Sequence, residues 1–74
     1  MIRREVQAAR RILARNLRRL RLERGWSQHD LAAEARTRQA LVSAIEIGAA
    51  NPTLASLEKL AATLEVTLAE LFKP

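Results

Sequence analysis

The 74-residue chain has no cysteine and a single histidine, His29. Without cysteine there can be no disulfide and no thiolate metal site, which fits a reducing, cytoplasmic setting. His29 has only Asp30 and Glu34 nearby, on what reads as a solvated helix face. That set reads as surface charge, not as a metal or catalytic centre, so no enzyme activity and no cofactor are expected. Aromatic residues are also scarce, at 3% against 49% hydrophobic overall. The core must then be Leu, Ala, Ile and Val, the composition of a helical bundle and not of a β-sandwich. Glycine and proline number two each, and neither falls between Ile2 and Arg24. No apolar run approaches the ~20 residues needed to cross a bilayer, so no membrane partner is expected. A chain this short forms one small domain, near the size at which a core only just suffices.

Positive charge is plentiful and unevenly placed. The formal net charge is +5. Residues 1–24 carry nine arginines against Glu5 and Glu23, a surplus of seven positive charges. Residues 25–74 carry Arg36, Arg38, Lys59 and Lys73 against six acids, a deficit of two. A basic half of this kind points to a polyanionic partner or an anionic surface. Within it, Ile2, Val6, Ala9, Leu13, Leu17 and Leu20 recur at steps of three or four, which predicts one amphipathic helix ending at the break before Gly25. An Arg-rich amphipathic start also resembles an organellar targeting peptide, but the stripe runs without a cleavage-like break into a helix the core needs. A membrane-surface role is disfavoured by the lack of bulky aromatics on that helix.

The most informative stretch is Ser27 to Gly48, SQHDLAAEARTRQALVSAIEIG, in which two short apolar-periodic segments are separated by a few residues that break the pattern. Ser27 with Asp30 three residues on makes a capping box, and Leu31, Ala32 and Ala35 form the inner face of the first segment. Val42 and Ile45 face inward on the second, which ends at Gly48, suited to a left-handed cap. A tight turn around Arg36 and Thr37 joins them, the spacing of a helix-turn-helix. The outer face of the second helix reads Arg38, Gln39, Ala40, Ser43 and Ala44. A guanidinium, an amide and a hydroxyl can each meet base edges or phosphates in a major groove, and alanine methyls can meet thymine methyls.

Around this motif, Trp26 is placed to staple the entry to the first motif helix and anchor the core, since one isolated aromatic makes no stacking platform. After the loop Ala49-Ala50-Asn51-Pro52, Thr53 can cap a helix burying Leu54, Leu57, Leu60, Ala61 and Leu64. Thr67 with Glu70 makes a second capping box, opening a short helix with Leu68, Leu71 and Phe72. Five helices are expected.

The segments LRRLRLERGWSQHDLA, VSAIEIG and NPTLASLEKLAATLEVTLAELF, from Leu13 to Phe72, resemble the phage-repressor-like (Cro and repressor, or xenobiotic-response-element) helix-turn-helix family. The resemblance implies an all-α, five-helix lambda-repressor-like DNA-binding domain with an extended first helix. It would span 1–74, with the motif at 27–48 and an N-terminal helical extension at 1–12. It also implies that Gln28 contacts a DNA phosphate at a helix N-terminus, that Arg38, Gln39, Ala40, Ser43 and Ala44 read bases, and that Arg21 and Glu46 form a buried structural ion pair. The chain departs from the family pattern at Arg36, where the turn usually has Gly, and at Arg38, the usual cap position, with Thr37 one residue early. Ile47, Ala49 and Ala50 stand where relatives often carry bases for phosphate, and Leu41 and Ile47 are apolar where polar residues are common. Phosphate contacts would then fall to Arg36, Arg38 and first-helix arginines such as Arg10, Arg11, Arg15 and Arg19.

Two functional classes follow. The first is a sequence-specific regulator binding double-stranded DNA as a homodimer, because one recognition helix covers few base pairs and two half-sites lie about 34 Å apart. Its dimer surface is expected at Leu64, Leu68 and Phe72, with Ile2, Val6 and Ala9 of the extension as a second contact. No small-molecule effector is expected, and control would come from the protein's own concentration. The second class is an antitoxin-type or protein-interaction module on the same fold, favoured by the missing phosphate bases and by the apolar Leu41 and Ile47.

Overall fold

The computed structural model describes the backbone of residues 2–74 and the side chains of residues 7–74. Among the described residues five helices follow in order: α1 (Ile2–Glu23), α2 (Gln28–Glu34), α3 (Gln39–Glu46), α4 (Leu54–Thr63) and α5 (Leu68–Leu71). At 22 residues, α1 spans about 33 Å at 1.5 Å per residue. The molecule measures 36 Å along its longest axis and about 20 Å across.

The expected caps form. Ser27 Oγ accepts from the Asp30 N–H at 3.0 Å while the Ser27 N–H donates to Asp30 Oδ2 at 2.9 Å, and Thr67 with Glu70 repeats the arrangement at α5. Thr53 Oγ1 accepts from the Ser56 N–H at the start of α4. Four helices also end alike. In each, the residue after the cap has a left-handed backbone and the next N–H reaches back to a carbonyl of the last turn: Trp26 to Arg21, Thr37 to Ala32, Ala49 to Ala44 and Val66 to Ala61. This is the Schellman closure. Its left-handed residues are Gly25 and Gly48 but also Arg36 (φ 55°) and Glu65 (φ 57°).

One apolar core joins the helices: Leu13 and Leu17 of α1, Leu31, Ala32 and Ala35 around α2, Val42 and Ile45 of α3, Leu57, Leu60, Ala61 and Leu64 around α4, and Leu71 of α5. Trp26, Leu20 and Leu41 pack against its edge. Two expectations are corrected. Leu54 is 62% exposed; the spacing puts it on the right face of α4, but as the first helical residue it stands past the neighbours that cover that face. Leu64, expected both in the face α4 buries and at a dimer surface, is 3% exposed: it closes α4 with its side chain in the monomer core, so the first expectation holds and the second does not. Ile2 and Val6, expected to add a dimer contact, lie outside the described side chains.

Asn16 is buried amid this apolar set. Its Nδ2 donates to the carbonyls of Leu71 and Lys73, each at 2.9 Å, with a longer approach to that of Glu70. One amide thus closes the C-terminal end of α5 and ties it to α1.

Candidate nucleic-acid interface

The expected reading helix, α3, is shaped at both ends by its local sequence. Arg36 takes the left-handed conformation at the end of α2, so the turn keeps the geometry normally given to glycine. Arg38 then adopts an extended conformation as the N-cap of α3 without a side-chain cap bond. Thr37, one residue early, supplies none, and the helix begins at Gln39. Its first-turn N–H groups therefore have no side-chain acceptor and face outward with positive dipole.

The side chains expected to read bases lie at the N-cap of α3 and on its face away from the core. Arg38, Gln39 and Ala40 are exposed, and Ser43 and Ala44 are half-buried one turn further on. Val42 and Ile45 hold the opposite face in the core, so α3 is supported from behind and presents its start to solvent.

At its other end α3 is braced by charge. Glu46 Oε2 accepts from Arg21 Nε at 2.7 Å and Oε1 from Arg21 Nη2 at 2.9 Å, a bidentate pair. The pair is almost inaccessible, and Arg21 Nη1 also donates to the Trp26 carbonyl at 2.7 Å. Burial pushes the Glu46 carboxyl up, but the hydrogen bonds from Arg21 and Gln28 and the positive charges of Arg21 and Arg18 outweigh it, leaving Glu46 below the usual glutamate range. The carboxylate correspondingly raises the pKa of Arg21, with burial opposing. Removing one partner of such a pair strands the other, which is why it positions α3 more than it adds net stability.

The first residue of α2 joins this brace. Gln28 Nε2 donates to Glu46 Oε1 at 3.1 Å, so the amide expected at phosphate is anchored to α3. Arg36 is exposed in the turn between the two motif helices.

The two other expected phosphate residues fare differently. Arg15 is exposed on α1 and lines the groove toward Glu46, Ile47 and Gly48. Arg19 pairs with Glu23 at 3.1 Å and, together with Arg15, lines a groove with Leu20, Glu70 and Lys73, but it does not border the groove at Glu46. Sequence reasoning passed over Arg18, which borders the Glu46 groove; its place three residues before Arg21 on the same helix is the signal that would have found it. Arg24 was likewise missed. It donates to Glu65 at 2.6 Å and to the Leu64 carbonyl at 3.1 Å, and lies over the Trp26 ring at 5.2 Å.

A helix-turn-helix family model matches residues 17–71, which takes in the motif, the brace and the helices behind it. The chain belongs to the HTH_3 helix-turn-helix family. Members of this HTH_3 group similar to the chain carry regulator names. A hypothetical transcription factor from Neisseria meningitidis is 40% identical over 68 residues, covering 92% of the chain and 64% of that protein. The chain thus spans under two thirds of that relative's length. An uncharacterised HTH-type transcriptional regulator from Sinorhizobium fredii is 37% identical over 65 residues, covering 88% and 84%. Among solved structures, that of the Neisseria factor superposes with a TM-score of 0.85 at 39% identity, over 89% of this chain and 76% of that one. A mutant of a restriction-modification controller protein gives a TM-score of 0.77 at 31% identity, over 86% and 81%. These HTH_3 relatives are transcriptional regulators, not enzymes.

Proposed function

We propose that the chain is a sequence-specific regulator that binds double-stranded DNA as a homodimer on an operator of two half-sites, in the cytoplasm alongside that DNA. The observation that carries the reading is the exposed cluster Arg38, Gln39 and Ala40 at the uncapped start of α3, backed by the Arg21–Glu46 brace. Gln39 is suited to a bidentate pair with adenine and Arg38 to guanine or phosphate, with Ser43 and Ala44 completing the face. Gln28 and Arg36 would hold the backbone on either side of the reading helix. The dimer surface is Phe72, 36% exposed, with the half-buried Leu68. Control by protein concentration, without a small-molecule effector, completes the proposal.

The test is binding-site selection from random duplexes with the purified protein, repeated with Gln39→Ala and Arg38→Ala. Each substitution should relax preference at its own position and weaken the selected site by about 1–3 kcal/mol. If neither alters site preference, the reading face is wrongly assigned.

A second reading, a protein-interaction module, is favoured by one observation. Ile47 is 74% exposed and Ala49 is exposed just past α3, so an apolar surface stands where cations would suit a phosphate. Salt separates the two, since DNA affinity falls steeply with salt while an apolar contact hardly responds.

A further inference from the structure

The structure sorts the arginines of α1 into two groups. Arg21 is committed to Glu46, Arg19 to Glu23, and Arg24, just past the helix, to Glu65. Arg11, Arg15 and Arg18 are all exposed and have no ion pair among the described residues. Their spacing, four residues and then three, puts them on one stripe covering about 10 Å of helix. Like charges so placed repel one another and cost the helix a few tenths of a kcal/mol per neighbouring pair. Among the described residues no ion pair offsets that cost, and only Arg18 has a carboxylate, that of Glu46, near enough to act on it.

The stripe lines a groove against Glu46, Ile47 and Gly48, the end of the reading helix. Arg18 lies near enough to Glu46 to help hold its carboxyl in the charged form. Glu46 is also the carboxylate that anchors Gln28. The stripe therefore starts beside the amide assigned to a phosphate and leads away along α1. Residues 47–50, Ile-Gly-Ala-Ala, contribute no cation of their own on that side.

We propose that Arg11, Arg15 and Arg18 form a clamp on the sugar-phosphate backbone of double-stranded DNA flanking the bases read by α3, in place of cations absent from residues 47–50. The inference rests on the placement of α3 at DNA proposed above. The stripe is long enough to meet adjacent phosphates of one strand, and its three unpaired guanidiniums match a run of negative charge. Because it touches no base edge, it adds affinity without sequence preference.

The test is the salt dependence of binding by the full chain to a random-sequence 30-base-pair duplex. It is measured for the wild type, for Arg11→Gln with Arg15→Gln and Arg18→Gln, and for a control losing two charges elsewhere through Lys59→Gln and Lys73→Gln. The stripe variant should lower the log–log salt slope by about 2–3, close to 0.9 per lost phosphate contact, and weaken every duplex alike. The control should change the slope by less than about 1. The corresponding triple Arg→Lys variant should keep the wild-type slope, which separates charge from any loss of helix, and circular dichroism melts should show all variants folded. An unchanged slope in the stripe variant, or equal losses in stripe variant and control, overturns the clamp. So does a stripe effect confined to vesicles of phosphatidylserine and phosphatidylcholine. Failure of the regulator reading is seen separately, as site selection that returns no preferred duplex for the wild type, because the slope on random duplex does not depend on such a site.

Discussion

Arg36 and Glu46 show what single side chains contribute beside the reading helix. A left-handed backbone costs an L-residue about 1–2 kcal/mol relative to glycine, part of which a glycine's freer unfolded chain returns. Arg36→Gly should therefore raise stability by about 1 kcal/mol, read as an increase of several degrees in Tm. If Arg36 also holds phosphate, the same variant binds DNA less well although it is more stable, an opposition no purely structural role would give. For Glu46 the argument turns on pH. Its folded-state pKa lies below the ordinary glutamate value, so its contribution is present above that value and is lost as pH falls through the folded one. Asp30 and Glu70, held down by hydrogen bonds from Ser27 and Thr67, act in the same direction. Stability measured by urea unfolding should be flat from pH 7 to about pH 5 and fall below about pH 4. Glu46→Gln should make that fall shallower, and an unchanged acid limb in the variant would remove Glu46 from the account.

Among the elements, α5 depends most on a contact from outside itself. Four residues cannot hold a helix alone, and α5 has three supports: the Thr67–Glu70 capping box, Leu71 in the core, and the Asn16 amide on the carbonyls of Leu71 and Lys73. Asn16→Ala deletes the last and leaves those carbonyls without their buried donor, a loss of about 1–3 kcal/mol. Hydrogen exchange should show α5 amides losing protection well before those of α3 and α4. Uniform loss across all helices would mean that Asn16 supports the whole core. The contrast with α3 is physical, since α3 is held by Val42, Ile45 and a bidentate ion pair, whereas the only fully buried side chain of α5 is Leu71.

For the molecule as a whole, the strategy is to keep one basic flank and one exposed apolar corner on a small core. On the homodimer proposed above, a second copy would supply the selectivity that a single α3 lacks, with the two reading helices about 34 Å apart. Phe72 is the large apolar side chain of α5's end left partly open, beside a groove lined by Ala9, Leu13, Pro52 and Leu57. Phe72→Glu should shift sedimentation equilibrium from dimer to monomer while leaving the Tm within a few degrees of wild type, because the side chain is not part of the buried core. A dimer that persists would place the interface elsewhere, with the N-terminal turns as the next candidate.

Helix number, caps and most of the core were legible in the order of residues, because those features depend on neighbours three or four positions away. Ser27 with Asp30, Thr67 with Glu70 and the apolar steps through α1 to α4 act within one or two turns wherever the helix is placed. Gly48 was legible as a left-handed cap, Gly25 only as a break and Arg36 only through the family's turn position, while Glu65 gave no signal, since packing holds its turn against residue preference. Only the folded arrangement decided that Arg24 is spent on Glu65 while Arg11, Arg15 and Arg18 remain open, and that Asn16 seals α5. Such partners lie up to 57 residues apart, and no local period carries that information. Charge and periodicity therefore specify that a basic helix exists, while the packing of α1 against α3 and α5 determines which of its sides can meet another molecule.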